Sequence, residues 1–272
     1  MKEKKREKCP ICGKYDFPTK DHVPPQCCGN SGKTLIHYFF AKKNGQPDIK
    51  ESQSGIHYKH ICADCNNNVL GSKFDQELKK FYDCAITSKE NVITWTGNIV
   101  NVVKAIFGHM LATNKYSSCV YDKEMRKFIN KNILPRKISL YLFYYPYDAT
   151  FTIKDAVPFL LFEQEKRKTN ILKEYSMFDC LYFSPFAFIV ADKGNIEQGV
   201  DLVDLLEKEN DTVILNKTSW FDYQHNKILP ECWPFKISNC KEINTVDGFI
   251  GGGEKETTNI SVKKLSIVMV VI

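Results

Sequence analysis

The sequence predicts an α+β protein: a zinc-clamped module at the N-terminus, then helices, then a mixed, mostly antiparallel C-terminal domain. Three observations carry this. Two Cys-x-x-Cys pairs, "CPIC" (Cys9, Cys12) and "CADC" (Cys62, Cys65), lie in the first quarter of the chain. Apolar residues recur at helical spacing from Phe74 to Ile133. After Pro135 the texture changes to β-branched and aromatic runs broken by charged turns. The implied division is residues 1–88 for the module, 89–134 for a helical connector and 135–272 for the sheet domain.

The two knuckles come first. A Cys-x-x-Cys turn aims two thiolates at one ion, and two such turns complete a tetrahedral site with no open position. Zinc held by Cys9, Cys12, Cys62 and Cys65 is therefore structural rather than catalytic. A redox pair explains one such motif but not two. Most of the other seven of the 11 cysteines sit among apolar residues and read as small buried side chains. The adjacent pair Cys27-Cys28 has poor spacing for a knuckle.

Between the knuckles lies "TKDHVPP" and, before the second one, "HYKHIC"; the two pair as an antiparallel hairpin. Behind Cys65, the residues Phe74, Leu78, Phe81, Tyr82 and Ala85 mark one apolar face of a helix. Ser72 and Asp75 supply a Ser-x-x-Asp start signal for it. The order is strand, long loop, strand, helix, with zinc at the base.

At these residues the chain resembles the HNH endonucleases, whose catalytic unit is the ββα-metal finger. The matching elements are "CPIC", "DHVPP", "CADCN" and "LGSKFD", within about residues 8 to 82. The resemblance implies that His22 is the general base that activates water, and that Asp21 and Asn66 are the protein ligands of one Mg²⁺ or Mn²⁺. The chemistry is consistent with those residue types. A base that works near neutrality suits histidine. A crowded phosphate and a departing oxygen need a Lewis acid. A hard cation that keeps several waters suits one carboxylate and one amide oxygen. Neighbouring strand residues point to opposite faces, so the strand must end or bulge at Asp21-His22 for both to serve one site; Pro24 and Pro25 favour that.

Two departures stand out. The family's asparagine shortly before the second knuckle is missing from "SGIHYKHIC", where His57 takes its approximate place. The segment after Cys27, "CCGNSGKTLIHYFFAKKNGQPDIKESQ", lengthens the loop; either it reaches DNA or the register of the match differs. Each residue also has a plainer role. Asp21 and His22 can shape a turn, and Asn66 can cap a helix. Lys20 can contact phosphate or simply be solvated. His57 and His60, three apart, face opposite sides of a regular strand, so at most one faces substrate.

Further along, "NVITWTGNIVNVVKAIFGHMLATN" reads as one buried helix, with Ile99, Val102, Val103, Ile106 and Met110 on a face. "DKEMRKFINKNI" is a shorter amphipathic helix. "ISLYLFYY", "VPFLLFE", "CLYFSPFAFIVAD", "TVILNKT" and the terminal "LSIVMVVI" read as strands, and "VDLVDLLEKEN" as a helix among them. The aromatic runs Tyr141 to Tyr147 and Tyr182 to Phe188 suit core packing more than base stacking.

Bulk properties set the remaining expectations. The 272 residues carry a net charge of +6, with 43% hydrophobic and 26% charged residues, an ordinary globular balance. A basic protein permits a nucleic-acid partner. No apolar run approaches the roughly 20 residues that span a bilayer. "MKEKKREK" has no apolar segment behind it, so the expected location is the cytoplasm. The functional expectation is a DNA endonuclease, acting on double-stranded DNA in restriction or antiviral defence by family analogy. One finger cuts one strand, so double-strand cleavage calls for a homodimer or sequential nicks. The alternative is a non-catalytic zinc ribbon that binds nucleic acid or protein. Such a ribbon needs the four cysteines but has no use for Asp21, His22 and Asn66.

Overall fold

The computed structural model describes residues 5–43, 46–113, 121–146, 149–156, 178–194, 196, 199–217 and 242–245. The sequence expectations on "VPFLLFE", "LSIVMVVI", Tyr147, Cys119, Cys232 and Cys240 lie outside them.

The first knuckle sits in the turn between β1 (Glu7–Lys8) and β2 (Tyr15–Asp16), which pair antiparallel. Inside the turn Cys9 N–H donates to Lys14 O at 2.8 Å and Gly13 N–H to Cys9 O at 2.9 Å. Next come β3 (Pro18–His22), β4 (Thr34–Lys43), β5 (Gln46–Ser52) and β6 (His57–Cys62). The predicted hairpin is present: β3 and β6 pair antiparallel, with Pro18 opposite Cys62 and His22 opposite His57. The segment inserted between them forms a second hairpin, β4 with β5, so it is not a plain loop.

After β6 the chain winds as a wide π-helical segment, Asp64–Phe74, and continues into α1 (Asp75–Thr87). The predicted apolar face is buried at Phe74, Leu78, Phe81 and Ala85, with Tyr82 half-buried against it. The start signal at Ser72 and Asp75 is not used as a cap. The helix is already turning at Ser72, whose hydroxyl donates to Asn68 O at 2.6 Å, and Asp75 points inward.

The single helix expected over 91–114 is instead a strand followed by a helix. In β7 (Val92–Thr96) Ile93 and Trp95 are buried while Val92, Thr94 and Thr96 are exposed, the period of two that β-branched residues favour. α2 (Ile99–Ala112) begins where Asn98 Oδ1 accepts from Asn101 N–H at 3.0 Å, a side-chain N-cap. Every residue from Val102 to Ala112 is buried. At Gly108 a Cβ would lie 2.4 Å from Leu70 Cδ2, so α2 packs closely on the π-helical segment. α3 (Asp122–Lys131) follows as predicted, and its Asn130 side chain donates to Ile11 O at 2.9 Å, holding the first knuckle from outside.

The remaining strands are β8 (Ile138–Tyr144), β9 (Ala149–Ala156), β10 (Phe178–Phe183), β11 (Phe186–Asp192), β12 (Val200–Asp201), β13 (Thr212–Asn216) and β14 (Glu242–Thr245). An eight-stranded sheet runs β12-β8-β11-β10-β9-β14-β4-β5. It is antiparallel except at β14, which is parallel to both of its neighbours. "CLYFSPFAFIVAD" is a hairpin, β10 with β11, turning at Ser184-Pro185. The helix expected over 200–210 is shorter, α4 (Leu202–Glu207), capped by Asp201 Oδ1, which accepts from Val203 and Asp204 N–H.

One apolar core runs through all three segments of the predicted division. β7 pairs with β13, and β4 lies beside β14. Phe81 of α1 stacks on Phe186 of β11 at 4.4 Å and lies 4.8 Å from Trp95. The aromatic residues Tyr141, Phe143, Tyr145, Tyr182, Phe183, Phe186 and Phe188 are buried, as core packing predicts. Because Phe81 is fully buried between helix and sheet, Phe81→Ala should cost about 3–5 kcal/mol, read from chemical denaturation.

Candidate metal centre and catalytic face

The four knuckle sulfurs converge. Cys9, Cys12, Cys62 and Cys65 place their Sγ atoms within 4.8 Å of one another, and Cys12 Sγ lies 3.8 Å from Cys62 Sγ. A tetrahedral zinc site with Zn–S of about 2.3 Å has S–S edges of about 3.8 Å. Three of the four side chains are buried and Cys12 is half-buried. β6 delivers Cys62 at its last residue, and the first turn of the π-helical segment delivers Cys65. A hydrogen bond from Cys65 pulls the Cys9 thiol down to about 4, while burial pushes Cys62 up to about 11. The cluster can hold a structural metal such as zinc.

The hairpin above it presents the acid and the histidine. β3 is irregular between Thr19 and Asp21 and ends at His22, just before the prolines. Asp21 is 4% exposed and faces inward, whereas His22 is only half-buried. His22 Nε2 lies 2.9 Å from Ser54 O and 3.2 Å from Gln26 Nε2. A protonated Nε2 donates to Ser54 O and leaves the Nδ1 lone pair free; an unprotonated one accepts from Gln26. Across the hairpin, the His57 ring centroid is 5.8 Å from that of His22. Burial, Lys20 and His22 hold the His57 pKa below its usual value, so His57 is neutral. His60 turns to the other side, with Nδ1 2.8 Å from Ala112 O, where it supports the end of α2. Lys20 and Lys59 are exposed, and both lie close enough to His57 to help lower its pKa.

Asn66 reaches back from the π-helical segment to β3. Its Nδ2 donates to Lys20 O at 2.6 Å and to Thr19 Oγ1 at 3.2 Å, so the side chain is tied to β3 rather than capping a helix. The amide is thus held at the hairpin by two bonds, one of them to the residue before Asp21.

Two residues outside any motif brace this region from behind. His109, in the buried "FGHM" of α2, lies between two carboxylates. Its Nε2 donates to Asp75 Oδ1 at 2.9 Å, and its Nδ1 is 3.4 Å from Asp21 Oδ2, an ion-pair distance. Burial pushes the His109 pKa down, but Asp75 and Asp21 together carry it up to about 10, so it is charged at neutral pH. Asn30 is the second. Its Nδ2 donates to Pro24 O (2.6 Å) and Ile56 O (2.8 Å), and its Oδ1 accepts from Ile56 N–H (2.8 Å). It ties the loop after His22 to the start of β6, across the whole insertion. Gly55, at φ 77, passes so close that a Cβ there would sit 2.3 Å from Asn30 Oδ1. The only sequence signal for His109 is a titratable residue on an otherwise apolar helix; for Asn30 it is an asparagine between glycines in "CGNSG".

Cys27 and Cys28 form a short 3-10 turn away from the knuckles, with Cys27 Sγ donating to Asp75 O at 3.7 Å. They line the wall under α1 and take no part in the four-sulfur cluster. No family model, no curated protein and no solved structure matches the chain. Among the described residues, no helix is long and apolar enough to cross a membrane.

Proposed function

We propose that the protein is a metal-dependent DNA endonuclease that hydrolyses phosphodiester bonds with HNH-type chemistry. The observation that supports this reading is the pair of bonds that tie the Asn66 amide to Thr19 and Lys20, the residues just before Asp21-His22 on the hairpin. A zinc ribbon requires the cysteines alone; it gives no reason to tie an amide to the backbone beside an acid and an accessible histidine.

His22 takes the proton from the attacking water at Nδ1 while Nε2–H donates to Ser54 O, the bond that orients the ring. The Asp21 carboxylate and the Asn66 amide oxygen would hold a Mg²⁺ or Mn²⁺ ion, and that donor set fits such a cation. When bound, the ion supplies Lewis-acid stabilisation to the phosphate and the departing oxygen. His57, neutral across the hairpin, and the exposed Lys20 line the approach of the phosphate backbone. The net charge of +6 favours binding to the duplex. Cleavage of both strands then takes a homodimer or two successive nicks. Action in the cytoplasm, in restriction or antiviral defence, accompanies this reading.

Zinc-loaded protein with supercoiled plasmid should yield nicked circles when Mg²⁺ or Mn²⁺ is added and none without added divalent cation. DNA retention with no nicking under any divalent metal would replace this reading with the non-catalytic binding module.

A further inference from the structure

An ion-pair partner of Asp21 comes from outside the hairpin and its helix. α2 packs across both, and its His109 is fully buried between Asp21 of β3 and Asp75 of α1. The two carboxylates approach different ring nitrogens, so the imidazole separates them and the trio is no metal cluster. A buried charged trio is costly to desolvate, and packed apolar residues of similar volume often serve stability as well or better. Its geometry has a specific consequence at the candidate site. Asp21 Oδ2 is buried and faces His109 Nδ1 at 3.4 Å, which leaves Oδ1 for any other partner.

We propose that His109 is a positioning residue, held by Asp75, that presents Asp21 to the catalytic cation through a single oxygen. The inference rests on the metal-ligand reading of Asp21. It adds that the site is completed by α2, so the hairpin and its helix are not self-sufficient. Partners that orient a ligating side chain typically matter about 10- to 100-fold in metal affinity.

Two near-isosteric variants separate this role from simple packing. The amide nitrogen of Asn reaches the place of imidazole Nδ1 and that of Gln the place of Nε2. His109→Asn keeps the donor to Asp21, and His109→Gln keeps the donor to Asp75. Mn²⁺ binding is measured by electron paramagnetic resonance on zinc-loaded protein, with circular dichroism and zinc content as folding checks. His109→Gln should weaken Mn²⁺ binding about tenfold or more, while His109→Asn stays within about threefold of the unmodified protein. Nicking by His109→Gln should recover at saturating Mn²⁺. Equal affinities in both folded variants and the unmodified protein overturn the proposal.

Asp21→Asn separates the two layers of the argument. If it loses Mn²⁺ binding while His109→Gln does not, the positioning role fails and the ligand reading stands. If Asp21→Asn binds Mn²⁺ normally, both fall. A measurement on the unmodified protein guards against misfolding: the His109 imidazole ¹⁵N signals should shift as Mg²⁺ is titrated, and unchanged signals at saturation count against the proposal.

Discussion

Removing zinc is expected to collapse the N-terminal module. The four sulfurs come from two segments about fifty residues apart in the chain, and they are the meeting point of β1–β2, β6 and the π-helical segment. Without an ion, burial opposes charging of Cys62, and the low-lying Cys9 thiolate has only the Cys65 thiol and nearby backbone N–H groups to stabilise it. Structural zinc contributes about 10–16 kcal/mol of apparent binding free energy in small fingers at neutral pH. Here the β3–β6 pairing and the core under α1 retain part of the fold, so the loss of stability is smaller than that figure yet larger than for any single side chain. Treatment with a strong chelator, or Cys65→Ser, should lower Tm sharply and bring about one zinc per chain into solution, counted with a chromophoric indicator. Retained Tm and no bound zinc would remove the metal from this account.

The reach of the sequence differs from element to element for physical reasons. Local rules located the knuckles, the hairpin of "TKDHV" with "HYKHIC", and the apolar face of α1, because each depends on spacing within a few residues. The same rules fused β7 with α2. Both are apolar, and only the alternation at Ile93 and Trp95, together with a partner strand more than a hundred residues away, tells them apart. The inserted β4–β5 hairpin draws its place from β14 near the other end of the chain, a pairing that no local pattern encodes. At the site, Asp21, His22 and Asn66 were legible as a motif. The burial of Asp21 against His109 was not, because it follows from how α2 crosses the hairpin. Asn30 was invisible for a similar reason: its three backbone bonds exist only once the insertion closes.

His22→Ala is expected to abolish most nicking while leaving the protein folded. The side chain is only half-buried, and it hydrogen-bonds with Ser54 O and Gln26, both exposed, so its removal exposes no deeply buried partner. Stability should change by no more than about 0.5 kcal/mol. A positioned base contributes about 10²- to 10⁴-fold, so the nicking rate at saturating Mn²⁺ should fall by that factor. Mn²⁺ affinity should be unchanged, because His22 holds a proton and not the ion. That separation distinguishes His22→Ala from Asp21→Asn, which should lose the ion itself. His57 cannot take over without moving: its ring centroid stands 5.8 Å from that of His22, and its partial burial among positive charges serves a neutral neighbour. Added imidazole, small enough to enter the space left by the deleted ring, should restore part of the rate. Nicking by His22→Ala at the unmodified rate would strip His22 of its role as base, whatever the metal does.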